Sequence, residues 1–252
     1  MLHEQTLQMM QAMKLFGMAK GFADKIHQPP TSELSHADFV GLLTQDERTY
    51  RDNRRLAKLL KAAKFKYPAA AVEDVNYRHP RGLNKQAFLQ VSDAQWIVHH
   101  RQILITGPTG IGKSWLACAL GNLAARNGYT ASYLRAPRLL EALHEARGDG
   151  SHLKMLSKLA KIQVLILDDF LMAPLTEESR QDTLEIIEDR YAAGATVLTS
   201  QYHTDDWYER IGEPTLADAI CDRLLHNAYK FPLKGESIRK DKTEEKSGGG
   251  KS

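Results

Sequence analysis

The feature that most constrains this chain is the octapeptide at residues 107–114, which reads GPTGIGKS. It matches the phosphate-binding pattern G-x-x-x-x-G-K-[ST] at every position. A short apolar run at residues 102–106 precedes it, and a run with helical spacing at residues 115–126 follows it. Because strand, glycine-rich turn and helix is the setting that the pattern requires, we predict an ATP site here. The predicted cofactor-binding residues are Gly107, Pro108, Thr109, Gly110, Ile111, Gly112, Lys113, Ser114 and Trp115.

The residue types of the octapeptide each have a chemical reason. Glycines let the backbone curl so that its N–H groups point at an anion, and the start of the following helix adds partial positive charge. Lys113 can then reach the β- and γ-phosphates, and the Ser114 hydroxyl can ligate Mg²⁺. The alternative is a chance glycine-rich turn, and it leaves the match of both flanks unexplained.

A second motif is the apolar run at residues 164–167, which is followed by Asp168 and Asp169. Such a run is typical of a strand buried on both faces of a parallel sheet, and ligands bind at the carboxyl ends of such strands. Asp168 is the candidate carboxylate on the Mg²⁺ side, and Asp169 can orient or deprotonate an attacking water. Taken alone, the run fits any buried strand with a polar end. Together with the octapeptide, it favours a nucleotide site.

Composition indicates a globular protein of ordinary polarity. The 252 residues are 42% hydrophobic and 26% charged with a net charge of +3, which suits one large domain or a domain with an appendage. No apolar run reaches the roughly 18 residues of a membrane helix, and the N-terminus lacks the apolar segment of a signal peptide. The isolated cysteines Cys118 and Cys221 suit a reducing compartment. We therefore expect a cytoplasmic protein with no membrane partner.

The pattern from residue 86 onward alternates between strands and helices. Alternation with helix-length crossovers predicts an α/β fold, a parallel sheet with helices on both faces. The predicted strands are 102–106, 130–134, 164–168, 195–200 and 228–232, and the predicted helices are 113–126, those within 137–160, 177–192 and those near 204–225.

The N-terminal part has helical spacing only. We predict helices at residues 5–27, 36–46 and 47–64, followed by an irregular polar stretch that contains Pro68 and Pro80. The predicted domains are a helical N-terminal domain at 1–66, a linker at 67–85, an ATPase domain at 86–240 and a disordered tail at 241–252.

One face of the third predicted helix is strongly basic. A basic face can be an ordinary solvated surface or a contact surface for a nucleic-acid backbone, and the pattern alone leaves both open. The candidate DNA contacts on this helix are Arg51, Arg54, Arg55 and Lys58.

Three further polar residues could complete an NTPase site. Gln201 follows the predicted strand 195–200, where it can hold the attacking water or simply cap the strand. Arg223, on a late helix, can act on a neighbouring subunit's nucleotide or form an ion pair with Asp218 or Asp222. Arg239, after the last strand, is a candidate γ-phosphate contact with an equally plausible surface role.

Nearly the whole chain before the tail resembles the IstB-like transposition helper ATPases of bacterial insertion sequences, which are relatives of DnaC-type helicase loaders in the AAA+ class. The similar segments are GPTGIGKSWLACAL, LILDDF, APLTEESRQDTLEIIEDRY, TVLTSQ, GEPTLADAICDRLLHNAYK, LKGESIRK, MKLFGMAKGFADKI and RRLAKLLKAAKFKYPAA. LADAICDRL and LKGESIRK are far more specific than the phosphate loop alone.

The resemblance implies roles for particular residues. It implies that Asp169 is the catalytic carboxylate, Gln201 a sensor, Arg223 an arginine finger and Arg239 a second sensor. Lys113 and Ser114 match the phosphate-loop pair, and Asp168 matches the metal-side carboxylate. Most AAA+ proteins have Glu where this chain has Asp169, so we expect slow turnover. The resemblance also implies an AAA+ P-loop fold without a full C-terminal helical lid.

The resemblance further implies a function, cofactors and partners. The function is that of an ATP- and Mg²⁺-dependent ATPase that assembles as a homo-oligomer on duplex DNA and recruits a transposase. The alternative is a DnaC-like loader of a replicative helicase that acts on single-stranded DNA. Basic residues are frequent between residues 133 and 161 of this chain. In the initiator and loader relatives, an inserted helical element at this place faces DNA, although a mixed-charge helix surface explains the same basic residues. The candidate contacts there are Arg135, Arg138, Arg147 and Lys154.

Overall fold

The computed structural model describes residues 2–26 and 35–238. Arg239 and the tail predicted at 241–252 lie outside these residues. Contacts divide the chain into two compact units, one up to Lys58 and one from Leu59 onward. The boundaries expected from the sequence were residues 66 and 85.

The N-terminal unit is helical. It contains α1 (Leu2–Ala12), α2 (Phe16–Ile26) and most of α3 (His36–Ala63). The single helix expected at 5–27 is divided near Lys14, which has a left-handed backbone with φ 61°. The two helices expected at 36–46 and 47–64 form one continuous helix, α3, because no glycine or proline between them stops it. A Cβ at Gly17 would lie 2.6 Å from the Asp46 carbonyl oxygen, so α2 and α3 pack closely.

A five-stranded parallel sheet forms the centre of the second unit, as the alternation predicts. The strand order is β2-β3-β4-β1-β5, and every neighbouring pair is parallel. The strands are β1 (Gln102–Thr106), β2 (Ala131–Arg135), β3 (Val164–Phe170), β4 (Ala195–Ser200) and β5 (Tyr229–Pro232).

Helices cover both faces of the sheet and create two hydrophobic cores. Alternate strand residues point to opposite faces, so Ile103 and Ile105 belong to one core while Leu104 belongs to the other. The first core also contains α6, and the second contains residues of α7 to α11. The helices are α4 (Lys85–Gln90), α5 (Gln95–Val98), α6 (Lys113–Arg126), α7 (Ala136–Asp149), α8 (His152–Ala160), α9 (Glu177–Arg190), α10 (Trp207–Ile211) and α11 (Pro214–Leu225).

The segment at 67–85 packs on the face of the sheet that α6 covers. Asn122 on α6 donates hydrogen bonds to the carbonyl oxygens of Pro68 at 3.2 Å and Ala70 at 2.7 Å. Val72 and Val75 are buried in the same core as α6. This segment therefore lies close to the helix that begins at the phosphate loop.

Candidate nucleotide site

The octapeptide forms the turn between β1 and α6, and α6 begins at Lys113. Gly107 has φ 139°, and a Cβ there would lie 2.3 Å from the Leu233 carbonyl oxygen. Gly112, at the start of α6, has φ 95°. Both conformations are strained for other residues, so the loop needs glycine at these positions.

Lys113 is buried with only 7% of its surface exposed. Its ammonium donates to the carbonyl oxygens of Gly107 at 2.6 Å and Pro108 at 2.9 Å. The side chain therefore folds back over the loop that its own helix follows. This position puts the charge in the concavity where the backbone N–H groups of such a loop bind phosphate.

Asp168 lies two residues before the end of β3, which continues beyond the predicted residue 168 to Phe170, and it is completely buried. Its carboxylate accepts hydrogen bonds from the Ser114 hydroxyl at 2.7 Å, the Thr199 hydroxyl at 2.5 Å and the Tyr133 hydroxyl. Burial, followed by the bond to Asp168, raises the pKa of Tyr133 well above its usual range. The Ser114 hydroxyl and the Asp168 carboxylate offer adjacent oxygen ligands, the type that Mg²⁺ prefers.

Asp169 has an unusual backbone. Its φ is 61°, in the left-handed region, and the pairing of β3 with β4 shifts register between Leu167 and Phe170. The Asp169 N–H donates to the Thr199 hydroxyl at 3.1 Å. The Asp169 carboxylate accepts from Arg135 Nη2 at 2.9 Å and Nε at 3.1 Å. The two consecutive aspartates thus point to different partners, Asp168 toward the phosphate loop and Asp169 toward the end of β2.

A cavity of about 680 Å³ lies beside the phosphate loop. Asp169 and Gln201 line it together with loop residues, so the structure brings both predicted residues to the same site. It also includes residues that the sequence patterns did not identify. These are Lys66, Tyr67, Asn76, His79 and Arg81.

Arg81 is the most deeply buried of these additional residues, with 3% exposure. Its guanidinium donates to the carbonyl oxygens of Ile111 at 3.2 Å and Asn76 at 3.3 Å, and burial lowers its pKa. The Lys234 N–H donates to the Arg81 carbonyl at 2.9 Å. Arg81 therefore links the phosphate loop to the chain after β5. The basic and aromatic run YRHPR before Gly82 is the sequence signal that could have pointed to this segment.

Arg223 is not at the phosphate loop of its own chain. It lies on α11, where it donates to Glu188 Oε1 at 2.6 Å and to the Ala219 carbonyl at 2.9 Å. It lines a cavity of about 280 Å³ with Gln102, the first residue of β1. That is the end of β1 opposite to the loop, and the acidic partner is Glu188, not Asp218 or Asp222.

The candidate DNA contacts have different surroundings. Arg135 pairs with Asp169, and Arg147 forms an ion pair with the buried Asp182, which also bonds to His152. Arg51 pairs with Glu47 at 2.6 Å. The side chains of the others are exposed on α3, α7 and α8. These are Arg54, Arg55, Lys58, Arg138 and Lys154.

None of the helices among residues 2–26 and 35–238 is both long enough and apolar enough to cross a membrane.

Comparisons with known proteins agree with this geometry. The structure is similar to that of a DnaC helicase loader, with a TM-score of 0.56 and 20% identity over 67% of this chain and 99% of the loader. This likeness concerns the fold, and the strand–loop–helix at residues 102–126 defines a P-loop protein with a parallel sheet.

Residues 8–247 match the family described as IstB-like ATP binding protein, and the chain belongs to this family. A putative insertion sequence ATP-binding protein of Sinorhizobium fredii is 46% identical over 96% of this chain and 98% of its own length. The insertion sequence IS1162 putative ATP-binding protein of Pseudomonas fluorescens is 45% identical over 80% of this chain and 87% of its own.

Proposed function

We propose that this protein is an ATPase that binds duplex target DNA as an ATP-dependent oligomer and recruits and stimulates a transposase. The observation that carries the proposal is the contact between the Ser114 hydroxyl and the buried Asp168 carboxylate, beside Lys113 in the phosphate loop. This set has the residue types of a Mg²⁺-dependent nucleotide site. The curated relatives, named as insertion sequence ATP-binding proteins, support the transposition context.

The residues of the site support hydrolysis as well as binding. Ser114 and Asp168 would hold Mg²⁺, which neutralises charge on the phosphate oxygens. Lys113 binds the phosphates, and Asp169, which lines the cavity, orients the attacking water once its carboxylate is released from Arg135. Gln201 lines the same cavity and supplies a polar contact for the water or the γ-phosphate.

Arg223 has a role in a neighbouring subunit in this proposal. In its own chain it lies by the first residue of β1, at the end opposite to the loop. A second subunit that presents this end to the nucleotide would complete the site, and the bound nucleotide would then stabilise the oligomer. The predicted role of Arg239 as a second γ-phosphate contact remains part of this proposal.

DNA binding is assigned to the exposed basic side chains on α3, α7 and α8. Lys and Arg on a surface bind phosphates through electrostatic attraction, which reads little sequence and weakens as salt rises. We therefore propose sequence-tolerant binding and association with the nucleoid. Arg135 and Arg147 would have to leave Asp169 and Asp182 before they could bind DNA.

The second candidate is a loader of a replicative helicase. The likeness to the DnaC helicase loader favours it, although that likeness concerns the fold alone. A loader would prefer single-stranded DNA and bind a helicase through the N-terminal helices.

Size-exclusion chromatography with light scattering separates the two candidates. The protein is mixed with duplex or single-stranded DNA, each with ATP or ADP. Growth of a large complex on duplex DNA with ATP supports the transposition helper, and assembly on single strands alone supports the loader. A pull-down of purified transposase and purified helicase with the protein then identifies the partner. Absence of any nucleotide effect would contradict both.

A further inference from the structure

Lys66 lies beside the buried metal-side carboxylate but belongs to none of the nucleotide motifs. Its Nζ is 3.7 Å from Asp168 Oδ2, and it lines the same cavity as Lys113 and Ser114. The Lys66 side chain is 38% exposed, whereas that of Asp168 is 0% exposed. The pair therefore joins a fixed carboxylate to an ammonium on a long side chain that reaches the cavity surface.

The backbone on both sides of Lys66 is held in place by α6. Phe65 packs on Gly121, where an added Cβ would lie 2.5 Å from the Phe65 ring. Asn122, the next residue of α6, binds the carbonyl oxygens of Pro68 and Ala70. These contacts fix the backbone of Lys66 beside the third turn of α6, and from there the side chain reaches Asp168.

A buried carboxylate is costly unless its charge is compensated. The hydroxyls of Ser114, Thr199 and Tyr133 supply hydrogen bonds to Asp168 but no net positive charge. Lys66 supplies that charge. Mg²⁺ is an alternative cationic partner for the same carboxylate, and two cations at one carboxylate repel each other.

We propose that Lys66 is a charge-compensating residue of the nucleotide site. Its ammonium neutralises Asp168 while no divalent cation is bound there, and it turns toward the phosphates of the nucleotide once Asp168 pairs with Mg²⁺. Lys66 thereby sets how strongly nucleotide binding depends on Mg²⁺. This inference rests on the proposed ATP site and adds a residue to it.

The test compares Lys66→Met with the unmodified protein. Met keeps an unbranched side chain of similar size and removes the charge. Lys66→Arg keeps the charge, and Lys61→Met removes an exposed lysine charge from α3 as a matched control. Intrinsic tryptophan fluorescence reports binding of a non-hydrolysable ATP analogue, because Trp115 lines the cavity whereas Trp96 and Trp207 are buried elsewhere. The analogue is titrated in EDTA, and Mg²⁺ is then titrated into the preformed complex.

We expect opposite changes in the two titrations. Lys66→Met should weaken binding of the analogue without Mg²⁺ by about 3- to 10-fold. It should also lower the Mg²⁺ concentration at the midpoint of the second titration by about 3- to 10-fold, the size expected for a partly exposed charge. Lys66→Arg and Lys61→Met should leave both values within about 2-fold, the limit set by small solvated-charge effects. The inference would be overturned if Lys66→Met weakened both the Mg²⁺-free binding of the analogue and the binding of Mg²⁺ to the complex, or if it strengthened both. It would also be overturned if Lys66→Met changed neither.

Two controls separate this inference from the proposed function. If the unmodified protein does not bind the analogue, or binds it equally after Lys113→Ala, the proposed ATP site is wrong. If binding depends on Lys113 but Lys66→Met leaves the midpoint of the Mg²⁺ titration unchanged, only the inference about Lys66 is wrong. A far-UV circular dichroism spectrum of Lys66→Met equal to that of the unmodified protein shows that the fold is intact.

Discussion

The charged residues at the nucleotide site and the exposed basic residues Arg54 and Lys58 on α3 differ in how their neighbours constrain them. Asp168 and Lys113 are buried, and several short hydrogen bonds define the position of each. Arg54 and Lys58 on α3 are exposed. Buried charges need fixed partners, whereas exposed charges exchange partners at little cost. Substitutions at the site should therefore change affinity, turnover or stability, and substitutions of Arg54 and Lys58 should change only how the protein responds to salt and DNA.

The largest expected effect is that of Lys113→Ala. It removes the buried ammonium from the loop, so nucleotide affinity should fall by about 100-fold or more, since phosphate contacts with a charged donor are strong. Isothermal titration calorimetry with ATP measures this, and Lys58→Ala is the exposed control. Equal ATP affinities of Lys113→Ala and Lys58→Ala would show that the buried charge of the site and the exposed charge of α3 do not differ in their effect on nucleotide binding.

Asp169→Asn should separate binding from hydrolysis. The amide keeps the shape of the side chain but is a poor base, so turnover should drop about 100-fold while ATP affinity stays within a few-fold. Release of phosphate at saturating ATP measures turnover, and calorimetry measures affinity. A variant that hydrolyses ATP normally would show that Asp169 is not the catalytic carboxylate.

Thr199→Val tests the hydrogen bonds that hold the two aspartates. The Thr199 hydroxyl donates to Asp168 and accepts from the Asp169 N–H, and both are left without this partner in the variant. The free energy of unfolding should fall by about 1–3 kcal/mol, the cost of unsatisfied buried polar groups. Urea denaturation measures it. Thr44→Val, at an exposed position of α3, should change it by less than about 0.5 kcal/mol.

The buried thiol of Cys118 should make the protein less stable at alkaline pH. Burial raises the pKa of its thiol from 9.0 to about 11. The folded state therefore keeps the thiol proton while the unfolded state releases it, so stability is complete below pH 9.0 and falls as the pH rises toward 11. Cys118→Ala should flatten this part of the stability curve by up to about 2 kcal/mol. An unchanged slope in urea denaturation between these pH values would contradict the assignment.

The smallest effect on the fold should come from the triple substitution of Arg54, Arg55 and Lys58 by Ala. The melting temperature should stay nearly unchanged, because these side chains are exposed. If they contact DNA, the slope of log affinity against log salt should become less steep by about one per lost phosphate contact. Fluorescence anisotropy with duplex DNA at several salt concentrations measures the slope. An unchanged slope would assign α3 to a solvated surface.

The sequence by itself determined the place of the phosphate loop between a strand and a helix, the five strands, and the burial of the apolar run that precedes Asp168. These features are local. A loop of this pattern has few possible conformations, and an apolar run of strand length between helices has to be buried in a sheet. The bounds of helix 113–126 and strand 195–200 agree with the prediction for the same reason. At the N-terminus, local patterns were less decisive, since no glycine or proline marks the break at Lys14.

Only the tertiary structure decided which distant charges meet. Arg135 and Arg147 look alike in the sequence as basic residues near a helix, yet their partners are Asp169 and Asp182. Lys66 reaches Asp168 because its neighbours in the chain are held on α6. Phe65 packs on Gly121, and Asn122 binds the carbonyl oxygen of Ala70. Such pairs depend on packing between segments far apart in the chain, and side-chain charge has no periodicity that encodes a partner. Residue type therefore predicts that a charge needs compensation, and the fold selects the group that provides it.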